Sequence, residues 1–196
     1  MVSFYTYLGL YLNDLRKKVS LSEFEKHFKT PHQTIKKHLA VLVSSRILLE
    51  EKKARFRFYS LNLKNPLLVE YLSICEKERL FALLEKSTLI NRLYQLASGS
   101  LKNALIFGSA TTSKDYDDID LLALTKDGRL KAELKQFENT YGKKVHLIQT
   151  GEKDLTPAFL EEIKQKHIIL NNHDYIIRVI YKNELGLVQE TRYEAD

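Results

Sequence analysis

The chain has 196 residues, 44% of them hydrophobic, and carries 31 Lys and Arg against 25 Asp and Glu, a formal charge of +6. That length and apolar content suffice for one or two domains with sizeable cores, and no apolar run nears the about 18–20 residues of a membrane span. The single cysteine, Cys75, excludes an intramolecular disulfide framework and a cysteine-based zinc cluster.

The opening MVSFYTYLGLYLNDLRKK has neither a basic n-region nor a small-residue cleavage site, so a reducing cytoplasm is the expected compartment. The basic excess is confined to one region. Residues 1–65 hold 13 Lys and Arg against 5 Asp and Glu, residues 66–100 hold 4 of each, and residues 101–196 hold 14 against 16. A positive field restricted to the first third points to a nucleic-acid face there and to other work elsewhere.

Phe4, Tyr7, Leu8, Leu12 and Leu15 recur at helical spacing and predict a first helix to about Lys18. Ser20 and Glu23 read as a capping box that opens a short second helix through Phe28. Thr30 is expected to cap a third helix with Pro31 at its first position. On that helix Ile35, Leu39 and Leu42 face inward, leaving His32, Gln33, Thr34, Lys36, Lys37 and His38 outward. Residues 47–53 and 55–61 predict two strands joined by a basic turn at Lys52-Lys53-Ala54, with Arg55 and Arg57 on one face and Phe56 and Phe58 on the other. Three helices and a hairpin resemble a winged helix of the ArsR or MarR repressor kind. The resemblance implies that Gln33, Thr34, Lys36 and Lys37 enter a major groove, while Lys52, Lys53, Arg55 and Arg57 contact phosphates of double-stranded DNA. A protein-binding winged helix is the competing reading. The three histidines of this region, His27, His32 and His38, lack metal-ligand spacing.

Asn65-Pro66 breaks the chain and starts a long helix to about Lys86. Its apolar residues, among them Leu67, Leu72, Ile74, Leu80 and Phe81, occupy more than one face and so need more than one neighbour. Two readings stay open: a homodimer interface, or a buried joint between two domains. Ser87 then caps a helix over 88–97.

The chemistry concentrates in ALIFGSATTSKDYDDIDLLAL, residues 104–124. A short apolar strand stops at Gly108-Ser109, and a second opens with Asp118-Ile119-Asp120. Residues two apart on a strand share a face about 6–7 Å apart, so both carboxylates project together while Ile119 and Leu121 pack behind. Two carboxylates on a rigid edge suit a hard divalent cation such as magnesium. Glycine admits close approach of a phosphate, and the Ser109 hydroxyl can bind its oxygens. Gly108-Ser109 followed after eight residues by Asp118-x-Asp120 resembles the GS…DxD motif of the nucleotidyltransferases, in particular their minimal branch. The order helix, strand, GS turn, DxD strand, helix, strand over residues 87–170 agrees with it. The expected architecture is therefore α+β: a winged helix-turn-helix (1–65), a linker or dimerisation helix (66–86), and a nucleotidyltransferase-like α/β domain with a small mixed sheet (87–196).

This resemblance implies Asp118 and Asp120 as catalytic ligands of Mg2+ or Mn2+, and Gly108, Ser109 and Lys114 as contacts of a nucleoside triphosphate. It also implies a hydroxyl acceptor, with a HEPN-type toxin as one possible protein substrate. Two departures stand out. The family's loop is usually longer and often carries an Arg-Gly pair, whereas here Lys114 is the only cation. The family's third carboxylate falls in a strand that reads Lys144-Val145-His146-Leu147-Ile148, which puts His146 in its place. That carboxylate helps hold metal and activate the attacking hydroxyl; His146 is then a general-base candidate or the mark of a degenerate site. Glu161, on a helix expected from Thr156-Pro157 to Lys166, is a weaker substitute. Residues 167–170 and 175–181 read as apolar strand or helix. Two functions follow: a nucleotidyltransferase with a DNA-binding domain, for which the resemblance implies an antitoxin-like setting, or a DNA-binding regulator whose transferase-like half is an impaired nucleotide sensor or scaffold.

Overall fold

In the computed structural model, which describes residues 3–113, 115–125 and 128–187, the chain is a mixed α+β protein built on two small sheets. Phe4–Tyr11 is a 3-10 helix, shorter than the helix to Lys18 that the apolar spacing predicts. Asp14 turns the chain, and Lys18–Ser20 becomes strand β1 because β3 offers it an antiparallel edge. Helix α1 (Leu21–Phe28) starts as expected: Ser20 Oγ accepts the Glu23 amide, and the Glu23 carboxylate accepts the Ser20 amide at 2.7 Å. Helix α2 (His32–Ser44) differs from expectation at its start. Pro31, in extended geometry, occupies the cap, and its carbonyl takes the Thr34 and Ile35 amides. The Thr30 hydroxyl donates instead to the Phe28 carbonyl, one residue too early to cap α2.

Strands β2 (Leu48–Lys53) and β3 (Phe56–Leu61) form the hairpin, in register from Leu48–Leu61 to Lys53–Phe56. The turn is Ala54-Arg55, one residue later than expected, with Ala54 at a left-handed φ of 51°. Arg55 therefore lies in the turn and not on a strand. The inward face also reverses: Tyr59 and Leu61 are buried, while Phe56 is 52% exposed. Phe56, at the hairpin tip, instead borders an open cleft with Leu21, Glu25 and His32.

Helix α3 (Leu68–Lys86) leads into α4 (Thr88–Ala97), which Ser87 caps by accepting the Ile90 amide. Strand β4 (Ala104–Phe107), a 3-10 turn (Gly108–Thr111), β5 (Asp118–Ala123), α5 (Arg129–Tyr141) and β6 (Lys144–Gln149) follow. Helix α6 (Pro157–Gln165) comes next, capped by Thr156. The ambiguous tail resolves into strand β7 (His167–Ile169) and helix α7 (His173–Ile180). The second sheet runs β6-β5-β4-β7, with β5 and β6 parallel across α5 and the other pairs antiparallel.

Two apolar cores result. Ile90, Leu93, Ile106, Ile119, Leu121 and Phe137 join one sheet face to α4 and α5. The other core is continuous from Tyr7, Tyr11 and Leu39 through Leu72 and Cys75 of α3 to Phe107, Ile177 and Tyr181. Helix α3 thus packs on the N-terminal 3-10 helix, α4, β7 and α7 together. Several neighbours are what its many-sided apolar pattern requires. Leu67, Ile74 and Phe81, seven residues apart, are left on its outer side.

Candidate functional site

The register of the second sheet brings the expected site residues into one row. Phe107 pairs with Asp120, and Asp120 with His146, so their side chains leave the sheet on one face. Asp118 stands two residues before Asp120 on the same face. Helices α6 and α7 pack with Phe107 and Leu122 in the continuous core, whereas the polar end of the row is open: Asp118 and Asp120 side chains are about one-third exposed. His146 Nδ1 lies 3.4 Å from Asp118 Oδ2 and 3.6 Å from Asp120 Oδ1. One ligand atom from each of the three falls within 4.8 Å of the others. Asp118, Asp120 and His146 could hold a divalent metal ion. The carboxylates suit magnesium; the imidazole does not, because that ion favours an all-oxygen shell.

Gly108 closes the site from the β4 side. Its φ of +72° is left-handed, and a Cβ there would sit 2.7 Å from Asp120 Oδ2. Only glycine lets the turn lie against that carboxylate. The Gly108 amide donates to the Lys166 carbonyl at 3.0 Å and Thr111 Oγ1 donates to the Gly108 carbonyl at 2.7 Å, which fix the turn from both ends. Ser109 is exposed beside it. Lys114 lies outside the described residues. Glu161, the weaker substitute carboxylate, is instead paired with Lys164 on α6 at 2.6 Å.

Two features of the site were not visible as motifs. Lys143, just past the C-terminal Gly142 of α5, donates to the Tyr116 carbonyl at 2.5 Å and lies over the Tyr116 ring. It ties the loop before β5 to the start of β6, and with Lys86, Thr111 and Ser113 it lines a cleft of about 430 Å³. The adjacent Lys144 gave no sequence cue to separate the two lysines. The second feature is a buried ion cluster behind the GS turn. His167 pairs with Phe107 across β7 and β4. Its Nδ1 donates to the Ile163 carbonyl, and its Nε2 lies 3.3 Å from Glu76 Oε1. Arg79 donates to the same carboxylate at 2.5 Å and to the His167 carbonyl at 2.8 Å. Burial alone would raise the Glu76 pKa, but Arg79 and His167 outweigh it and pull it down to about 2. Helix α3 is thereby pinned to the strand that carries the GS turn's anchor.

On the N-terminal third, Lys36, Arg55 and Arg57 line one cleft of about 270 Å³ between the start of α2 and the hairpin turn. Gln33 and Lys37 are exposed on α2, with Thr34 and Lys36 half-buried. Lys52 and Lys53 are exposed on β2. Several of these cations carry neighbours: Arg57 meets Glu50 at 2.6 Å, Lys53 meets Glu51 at 3.2 Å, and Arg55 sits over the Phe56 ring. His32 pairs with Glu25 at the same cleft, and His38 with the Tyr7 hydroxyl. Among the described residues no helix is long and apolar enough to cross a membrane. Comparison of the chain with protein-family models, with curated proteins and with solved structures finds no match.

Proposed function

We propose that residues 87–196 form a nucleotidyltransferase-like domain that binds a nucleoside triphosphate with a divalent ion, and that residues 1–65 form a winged helix that binds double-stranded DNA. One observation carries the first part: the Gly108 turn is pressed against Asp120, with Asp118 and His146 on the same face. This is the convergence of a phosphate-admitting turn and a metal-holding pair that phosphoryl transfer needs. Asp118 and Asp120 would hold the ion, which would offset triphosphate charge. Gly108 and Ser109 would line the phosphates, and His146 would be the base nearest an attacking hydroxyl. The element order helix, β1, α1, α2, β2, β3 supports the second part, with the start of α2 and the hairpin turn bordering one basic cleft.

An antitoxin-like protein whose acceptor is a HEPN-type toxin accords with this reading, as does a homodimer through the outer side of α3. His146 in place of a third carboxylate favours a second reading, a regulator whose transferase-like half senses nucleotide without transferring it. Incubation of the chain with labelled ATP, CTP, GTP and UTP, Mg2+ or Mn2+ and candidate acceptors separates the two. Label on an acceptor supports the enzyme. Nucleotide binding without transfer supports the regulator. Equal affinity for a non-hydrolysable ATP in wild type and the Asp118→Asn, Asp120→Asn double variant removes both.

A further inference from the structure

We propose that Asp118, Asp120 and His146 form a binding site that selects a first-row transition dication, of the manganese or cobalt kind, over magnesium. The metal site is that of the transferase reading and rests on its geometry, but the preference concerns the ion alone.

The argument starts from donor chemistry. Two carboxylates and an imidazole make a mixed oxygen and nitrogen set, and imidazole binds transition dications while contributing little to magnesium. Geometry agrees. Ligand atoms around one ion with bonds of about 2.1 Å stand about 3.0–3.4 Å apart when adjacent. The two nitrogen–oxygen separations here are 3.4 and 3.6 Å, and all three atoms lie within 4.8 Å. Small rotations of side chains that are one-third to 60% exposed therefore suffice to close a shell on one side of an ion. The backbone already holds the set in order. Asp120 and His146 are register partners on parallel strands, and Gly108 limits where the Asp120 carboxylate can go. His146 stands on the edge strand β6 with its Nδ1 turned inward to the carboxylates, and as a ligand it keeps its proton on Nε2. The open side faces solvent, where water or phosphate oxygens complete the shell.

The test is calorimetric titration of the full chain with MnCl2, CoCl2 and MgCl2, without nucleotide, joined to pulsed electron paramagnetic resonance of the manganese form. Manganese and cobalt are expected to bind about tenfold or more tighter than magnesium, with nitrogen coupling in the manganese spectrum. His146→Ala should erase the coupling and most of the preference, while His146→Asp should erase the coupling and raise magnesium affinity. Circular dichroism of both variants checks the fold. Magnesium binding as tight as manganese, no metal binding, no nitrogen coupling in wild type, or coupling that survives His146→Ala would each overturn the proposal. Titration of ATP analogues into the metal-loaded chain is a separate arm. Its failure with the metal results intact rejects the nucleotide reading and leaves the metal preference standing.

Discussion

At the residue scale the site depends on what Gly108 lacks. A side chain there meets two obstacles: the left-handed φ of +72°, and the Asp120 carboxylate 2.7 Å from where Cβ would stand. The first costs about 1–2 kcal/mol for an L-residue. The second forces the Asp120 carboxylate off the position in which it lies beside His146. Gly108→Ala is therefore expected to lower stability by about 1–2 kcal/mol yet weaken divalent metal binding tenfold or more, on the order of a lost carboxylate ligand. Thermal unfolding and metal titration of the same preparation check it; unchanged metal affinity would show that the turn does not shape the site. Gly142, equally left-handed at φ 65° but with open space at its Cβ position, is the control. Gly142→Ala should cost a similar amount of stability and leave metal binding alone. Cys75, the lone thiol, has no such role, since burial pushes its pKa well up and keeps it protonated.

At the element scale, much of this fold was legible wherever a local rule decided the outcome. The Ser20–Glu23 box, the Ser87 and Thr156 caps, Gly142 past α5 and the two apolar strands flanking Gly108-Ser109 all stand where their residues place them. The shared face of Asp118 and Asp120 follows from the strand period, whereas the place of His146 beside them was implied only by the resemblance and is fixed by the parallel register of β5 and β6. What could not be read was set by partners distant in sequence. Lys18–Ser20 is a strand only because β3, some forty residues later, needs an edge. Phe56 faces out because the buried face of the hairpin is that of Tyr59 and Leu61, a choice between two faces that alternation alone cannot make. The Glu76–Arg79–His167 cluster joins α3 to β7 across about ninety positions and carries no motif. Its contribution is nonetheless measurable. An unfolded glutamate titrates near about 4.3, and Glu76 in the fold near about 2. The stability it lends is complete above the unfolded value and is lost as pH falls to about 2, a difference of about 3 kcal/mol. His173 acts higher: burial depresses its pKa below the usual range, so protonation from about pH 6.5 downward also favours unfolding. Glu76→Gln should lower stability at neutral pH by about 3–5 kcal/mol, flatten the fall between about pH 4.5 and 2, and leave the fall that begins near about pH 6.5. Denaturant unfolding across pH reads both stages. A wild-type acid limb retained in Glu76→Gln would mean that the cluster is not what acid breaks.

At the scale of the whole molecule, charge and core are distributed differently. The core is shared: Tyr181 near the end of the described chain donates to the Leu12 carbonyl, and both are buried in one continuous apolar cluster. Denaturation should therefore be a single transition by both fluorescence and circular dichroism. Tyr181→Ala, which removes a fully buried ring, should lower the unfolding free energy by about 3–5 kcal/mol without splitting the transition; two separated transitions would show that the halves unfold independently. The charge is not shared. The first 65 residues carry the whole positive excess, and the half with Asp118 and Asp120 is slightly acidic. A polyanion is thus steered to the α2 and hairpin side and away from the carboxylates. If that side grips DNA, binding must weaken with salt, and each phosphate contact removed should reduce the log–log slope by about 0.9. Replacing Lys36, Lys37, Arg55 and Arg57 by Ala should lower the slope by up to about 3–4 in fluorescence anisotropy titrations of duplex DNA. The four are not expected to count equally. Arg57 already holds Glu50 at 2.6 Å, so releasing it to a phosphate strands a carboxylate beside the backbone. Arg55 lies in the turn over the Phe56 ring and carries no such counter-charge in that contact. Arg55→Ala should therefore change the slope by close to one contact, and Arg57→Ala by clearly less. A slope unmoved by all four substitutions would place the DNA face elsewhere, or give this basic surface to a protein.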